Sequence, residues 1–242
     1  MNTHIGAGYG SEYHLMRYLG RYRDEFNRIT MNALGGQSVE WLDFKHGKRE
    51  NYKTRDSSKV VLPDREIIGL DFLDGTDYEH VRKEWAKFWP QSGKSQNWDA
   101  VAKIKIDQEV YWLLIEAKAH TGELRSDCGA ISPESVRMIE NALKETKRTF
   151  NIDVSDDWTQ CYYQYANRLA ALHFLQKHDI PAKLLYIYFL GDLNPRLASN
   201  SFCPQTESEW HPFIKAENEH LGITHEIKAR HGIYEIFVEV SP

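Results

Sequence analysis

Apolar residues recur at three- and four-residue spacing in several segments of the chain, a pattern typical of amphipathic helices. The first such segment begins at Ser11, a favoured N-cap residue, and ends at the Gly35-Gly36 pair. Ser155 is expected to open another helix, and Pro181 follows its end. Together the helical segments are predicted at 11–35, 77–89, 133–150, 155–178 and 207–221.

Short apolar runs bounded by turn residues lie between these helices and predict buried strands. Two of them, 98–106 and 109–118, are separated only by Asp107 and Gln108, which favours a hairpin. The other predicted strands are 38–44, 65–73, 182–190 and 233–240. This order of elements predicts a mixed α/β fold in which helices flank a central sheet.

Composition narrows the class of protein without identifying it. The chain has 242 residues, of which 41% are hydrophobic and 27% charged, as expected for one globular domain spanning 1–242. Three widely separated cysteines without a CxxC motif favour a reducing, cytoplasmic setting. Neither a signal-peptide pattern nor an apolar run of about 18 residues occurs, so we expect no membrane insertion or export.

The net charge of −5 does not predict a protein that is basic throughout, as many nucleic-acid-binding domains are. A locally basic segment does lie between Lys45 and Lys59. A solvated loop is one interpretation of this segment, and a nucleic-acid-binding surface is the other. The candidate nucleic-acid-binding residues within it are Lys45, Lys48, Arg49, Lys53 and Arg55.

The predicted hairpin brings three charged residues together. A two-residue turn at Asp107 and Gln108 sets Asp99 opposite Glu116 on the neighbouring strand. Side chains alternate along a strand, so Lys118 shares their face. The Cβ atoms of opposed residues lie about 4.5 to 5.5 Å apart, and like charges at that distance are destabilising. Folding alone would therefore disfavour this pair of carboxylates.

A divalent cation would remove that repulsion. Mg²⁺ commonly binds one or two protein carboxylates and completes its shell with water and substrate phosphate oxygens. Lys118 could then hold or deprotonate an attacking water and balance charge at phosphorus. The alternative is that Asp99 only begins a strand and that Glu116 and Lys118 form the solvated end of another.

The segment from Trp98 to Val101, followed by Glu116-Ala117-Lys118, resembles the signature of the PD-(D/E)XK nuclease superfamily. The order of elements resembles the restriction-endonuclease-like fold of that family over a core of about 11–192, which leaves 206–240 as a C-terminal helix-strand extension. The sequence departs from the motif at Trp98, where the family usually has proline.

This resemblance implies catalytic and metal-binding roles for Asp99, Glu116 and Lys118. Glu12, in the first turn of the first helix, matches an accessory metal ligand of the family, although an acid there also complements the helix dipole. Some branches use a glutamine on a helix after the hairpin, for which Gln164 and then Gln160 are the candidates. His120 follows Lys118 by two residues and is a candidate phosphate contact.

The resulting expectation is a Mg²⁺- or Mn²⁺-dependent phosphodiester hydrolase that acts on DNA rather than RNA and leaves a 5′-phosphate. The alternative function is a binding module that keeps the nuclease fold without turnover, as a subunit of a repair or defence complex. A third interpretation is an α/β scaffold with a chance match to the motif. Homodimer formation stays open.

Overall fold

The computed structural model describes residues 8–42, 52–53, 59–60, 67–91 and 96–240. The α-helices are α1 (Ser11–Gly20), α2 (Arg23–Leu34), α3 (Arg82–Phe88), α4 (Pro133–Thr149), α5 (Tyr163–Lys177), α6 (Glu207–Leu221) and α7 (His225–His231). The strands are β1 (Ser38–Trp41), β2 (Tyr52–Lys53), β3 (Lys59–Val60), β4 (Ile67–Ile68), β5 (Asn97–Trp98), β6 (Ala100–Ile106), β7 (Glu109–Lys118), β8 (Ala182–Leu190) and β9 (Ile233–Glu239).

A mixed sheet of five strands in the order β1-β6-β7-β8-β9 forms the centre of the molecule. Strands β1, β6 and β7 pair antiparallel, whereas β7, β8 and β9 pair parallel. Two further pairs, β2-β3 and β4-β5, form small sheets. The prediction of an α/β fold with a mixed central sheet is therefore confirmed, and β9 of the C-terminal extension belongs to this sheet.

The predicted hairpin has the expected turn and register. Ile106 pairs with Glu109 across the turn, and the ladder continues to the pair of Ala100 with Ile115. Asp107 adopts a φ of 53°, a left-handed conformation that aspartate tolerates better than most residues do.

Helices cover both faces of the sheet. On one face, α1 and α2 pack against an apolar cluster that includes Ile115, Ala117 and Ile187. On the other face, residues of the helices from α3 to α7 join a cluster with Trp98, Leu114 and Tyr186. Because both faces are covered, every residue of β7 from Trp112 to Lys118 is buried.

Three helix predictions were wrong in their bounds. Of the segment 77–89, only α3 (Arg82–Phe88) is α-helix, and a short 3₁₀ helix (Glu79–Val81) precedes it. The first predicted helix is two helices, and the break follows Gly20, a residue of low helix propensity. Gly35, at a φ of 68°, ends α2 as expected. The helix predicted from Ser155 begins only at Tyr163, because Asp157 Oδ1 accepts bonds from Thr159 N at 2.8 Å and Thr159 Oγ1 at 2.7 Å, which forms a turn.

Cys161 interrupts the same segment with a φ of 62°, which no helix tolerates. The structure also contains α7, a helix just before the last strand that the periodicity did not predict. Its Thr224 N-cap accepts a bond from Ile227 N at 3.2 Å.

Candidate active site

Glu116 and Lys118 lie near the C-terminal end of β7, on the face that α5 covers. Only 1% of Glu116 and 6% of Lys118 is exposed, so neither is a solvated strand end. Lys118 Nζ lies 2.5 Å from Glu116 Oε1 and donates to Gln164 Oε1 at 2.8 Å. Lys118, which was predicted to hold or deprotonate a water, thus donates to two protein acceptors.

Arg168 is the cluster's fourth charged residue, and it was not among the site residues predicted from the sequence. Its Nε donates to Glu116 Oε2 at 2.8 Å, and its Nη1 donates to Asn167 Oδ1 at 2.8 Å. Its Nη2 donates to the backbone carbonyl of Asn97, and the guanidinium lies 4.8 Å from the ring centre of Trp98. Both carboxylate oxygens of Glu116 are therefore paired with cations.

Asp99 lies between β5 and β6 and bends towards β7. Its backbone N–H donates to Ile115 O at 3.2 Å, while its Oδ2 accepts from Ala117 N at 2.7 Å. The ladder begins one residue later, so Asp99 does not form the regular cross-strand pair with Glu116 that the turn predicted. The bond to Ala117 N is the reason, because the aspartate side chain takes the place of a backbone acceptor.

The two carboxylates differ in their electrostatic environment. Burial and the charge of Glu116 raise the pKa of Asp99 to about 7. Burial also acts to raise the pKa of Glu116, but Arg168 and Lys118 outweigh it and hold that pKa below its usual value. The predicted repulsion is thus present, and it falls on Asp99, which lacks an ion pair of its own among the described residues.

Lys118 is held as an ammonium ion. Burial favours its neutral form, but the carboxylates of Glu116 and Asp99 outweigh that effect and raise the pKa of Lys118. A lysine in this state can donate hydrogen bonds and balance negative charge, but it is a poor base. Of the two roles considered for it, holding the water fits this environment and deprotonating the water does not.

Helix α5 brings Gln164 and Arg168 to the cluster because they are four residues apart and share one helix face. The start of this helix is fixed by Ser126, whose Oγ accepts from Gln164 N at 2.8 Å and whose carbonyl accepts from Tyr163 N at 3.0 Å. Gln160 lies in the turn before the helix and is exposed, so it does not share the face of Gln164.

The remaining predicted site residues lie apart from this cluster or outside the described residues. Glu12 is exposed in the first turn of α1, and no contact joins it to the described members of the cluster. His120 Nε2 lies 3.6 Å from Glu123 Oε1, beyond the end of β7. Four of the basic residues and the side chain of Lys53 fall outside the described parts of the chain; the four are Lys45, Lys48, Arg49 and Arg55.

The two carboxylates suit a hard divalent cation in donor type and number. Asp99 is partly exposed, and its Oδ1 forms no hydrogen bond within the described residues, so it can accept a ligand directly. Glu116 can reach a metal only by exchanging an ion pair with Lys118 or Arg168. Across the described ranges, no group of three or more His, Cys, Asp or Glu residues is arranged to hold a metal ion. Water and substrate oxygens would have to complete the shell.

One signal in the sequence could have indicated Arg168. It lies four residues after Gln164 and directly before the apolar run Leu169-Ala170-Ala171-Leu172, which predicts a buried stretch of helix. An arginine within such a segment is almost never buried without a partner. A carboxylate on the covered sheet, such as Glu116, is one partner to expect for it.

Comparison of the chain with protein-family models, with curated proteins and with solved structures finds no match in any of the three. None of the helices in the described ranges combines the length and the apolar character needed to cross a membrane.

Proposed function

We propose that the protein is a Mg²⁺- or Mn²⁺-dependent phosphodiester hydrolase of the restriction-endonuclease-like class and that it acts on DNA. The observation that supports this proposal is the convergence of Asp99, Glu116 and Lys118 at one end of β7. The amide oxygen of Gln164, a residue that the resemblance to PD-(D/E)XK nucleases had suggested, accepts a hydrogen bond from the same lysine.

Each residue has a distinct role in this proposal. Asp99 would hold the divalent ion together with Glu116, once Glu116 exchanges an ion pair with Lys118 or Arg168, and the ion would polarise a phosphoryl oxygen and lower the pKa of a water. Lys118, kept as a cation, orients the attacking water and offsets the charge that develops on the phosphoryl oxygens. Gln164 fixes the direction of the lysine side chain. Asp99 and Gln164 retain solvent exposure, so the substrate approaches along them.

The proposal is tested by incubating the purified protein with single- and double-stranded DNA and Mn²⁺. We expect cleavage that EDTA abolishes, and at least a 100-fold loss of rate in Asp99→Asn and Lys118→Met. Lys215→Ala is the matched control, because Lys215 lies on the exposed surface of α6 and pairs only loosely with Glu219 at 3.7 Å. Cleavage that persists in both site variants would exclude this cluster as the catalytic centre.

A second function, binding of DNA without turnover, is supported by Arg168. Its guanidinium supplies the positive charge that a metal would bring to Glu116, so the cluster is balanced without one. Calorimetry separates the two proposals. If Mn²⁺ raises the melting temperature of the wild type but not of Glu116→Gln, a metal enzyme is favoured. DNA binding with no response to Mn²⁺ and no cleavage favours the binding module.

A further inference from the structure

Four buried polar atoms lie behind the charged cluster without a hydrogen-bond partner in the described part of the chain. They are Oε2 of Glu217 and the hydroxyl oxygens of Tyr165, Tyr186 and Tyr188. No more than 2% of any of these four residues is exposed. None of them has a role in the proposed hydrolysis.

The sheet register and the helices place these groups together. Tyr186 and Tyr188 lie on β8 directly beside Glu116 and Lys118 of β7, so all four side chains share one face. Tyr165 of α5 stacks on Tyr186 with ring centres 4.2 Å apart. Glu217 comes from α6, which packs on the same face through Trp210, whose ring lies 5.0 Å from that of Tyr188.

The electrostatic coupling of Glu217 agrees with this placement. Burial raises its pKa to about 8, and the positive charge of Lys118 is the strongest opposing influence. Burial is the main cause that raises the pKa values of the three tyrosines, and the proximity of Glu217 contributes to each of these shifts. The titratable and charged groups that surround it are Glu116 and Lys118 of β7, Tyr162 before α5, Tyr165 of α5, Tyr186 and Tyr188 of β8, Glu235 of β9 and Lys228 of α7.

A buried polar group without a partner costs more free energy than the hydrogen bond that it could form, and four adjacent ones would consume much of a domain's stability. Ordered water is the usual remedy, since a buried water molecule bonds about three polar groups. We propose that Glu217 and the three tyrosine hydroxyls form an internal binding site for ordered water that adjoins Lys118. In this site Glu217 carries a proton, so its carboxyl group can donate as well as accept a hydrogen bond. This site does not depend on the proposed hydrolase activity.

The sign of a stability change tests the proposal. If water bridges these groups, Tyr188→Phe removes one of its partners and lowers the melting temperature by several degrees. If the hydroxyl had no partner, the same change would leave the melting temperature unchanged or raise it, which would overturn the proposal. Tyr18→Phe is the matched control, because the Tyr18 hydroxyl donates to Glu239 O at 2.7 Å and its removal lowers the melting temperature.

A pH series tests the protonated state of Glu217. The folded protein holds a proton that the unfolded chain releases above about pH 4.5, so ionisation costs the wild type stability as the pH rises towards 8. Glu217→Gln lacks this loss, and its melting temperature relative to the wild type should increase steadily between pH 5 and 8. A constant difference would overturn the proposal. Should this variant not fold, Tyr188→Phe and Tyr165→Phe still test the water site.

Discussion

The two faces of the central sheet are both buried, but they hold the molecule together in different ways. Towards α1 and α2, the inward residues are aliphatic and aromatic, for example Ile115, Ile187 and Phe189. Towards α5 and α6, the same strands carry Glu116, Lys118 and the paired tyrosines of β8. Along its strands, one face excludes water with apolar side chains, whereas the other buries charges that must be paired. On the α1 side, the buried contact of His14 with Asp192 at 2.9 Å involves a residue that follows β8 and does not belong to a strand.

This difference shows that the need to bury a strand does not explain why β7 carries Glu116 and Lys118. The face would be about as stable with well-packed apolar residues in place of Glu116, Lys118 and Arg168 together, since buried ion pairs often gain little over hydrophobic residues of similar volume. The charged face keeps both residues and adds Arg168 from α5 to balance them. Charges that are retained at such a cost are typical of functional sites.

The largest effect should come from removing a partner on the charged face. In Arg168→Met the aliphatic stem remains, but Oε2 of Glu116 loses its guanidinium partner. Breaking a buried ion pair costs about 3 to 5 kcal/mol, and urea unfolding should show a loss within this range even though Lys118 still pairs with Oε1 of Glu116.

Two further variants test the cause of this loss. Adding Glu116→Gln to Arg168→Met removes the negative charge that lost its guanidinium partner, and it should restore part of the stability. Lys215→Ala breaks an exposed ion pair in which 73% of the lysine side chain is accessible, and it should change stability by less than about 1 kcal/mol. An Arg168→Met loss no greater than this control would show that Arg168 does not stabilise the charged face.

On the apolar face, a substitution should lower stability by leaving a cavity and not by leaving a charge unpaired. Ile187 is fully buried there, and Ile187→Ala should cost roughly 3 kcal/mol through lost burial and incomplete collapse of the cavity. This loss should be the same at pH 5 and pH 8, because no ionisable group is removed. A loss that changed strongly with pH would mean that the two faces are coupled and not independent.

A smaller effect, which depends on pH, is expected from Asp99→Asn in metal-free buffer. The pKa of Asp99 is raised to about 7, so the folded protein holds a proton that the unfolded chain releases above about pH 4. The wild type therefore loses stability as the pH rises from 4 to 7, and the variant does not.

Asparagine keeps an oxygen that can accept from Ala117 N, so the backbone contact can survive the change. Partial exposure of Asp99 reduces the effect, and we expect the variant to gain roughly 2 kcal/mol over the wild type between pH 4 and 7. Chemical unfolding at four or five pH values with EDTA present measures this trend. A gain that shrinks as the pH rises would contradict the assigned direction of the shift.

The sequence was sufficient to predict the parts of the site that depend on local geometry. The turn at Asp107 and Gln108 set the register of β6 against β7, and alternation along the strand placed Glu116 and Lys118 on one face. It could not predict that Asp99 leaves the ladder, because that depends on a bond from its own side chain to Ala117 N.

The residues contributed by α5 were harder to predict, since their positions depend on where that helix begins. A helix beginning at Ser155 would place Gln160 and Gln164, which are four residues apart, on the same helix face. The helix begins at Tyr163, so Gln160 lies outside it. What fixes this start is a bond from Gln164 N to Ser126 Oγ, a contact between residues 38 apart in the chain. Arg168 was missed because its partner, Glu116, is likewise distant in sequence.

The smallest expected effect separates Gln164 from Gln160, which were the first and the second glutamine candidates. Gln164→Ala removes the acceptor that lies 2.8 Å from Lys118 Nζ, and a hydrogen bond to a charged group contributes about 1.5 to 3 kcal/mol. Because Gln164 is partly exposed, water can replace some of this bond, so we expect a loss near 1.5 kcal/mol in urea unfolding. Gln160→Ala changes an exposed turn residue and should stay within about 0.5 kcal/mol of the wild type. Equal losses in the two variants would mean that the contact of Gln164 with Lys118 does not stabilise the charged face.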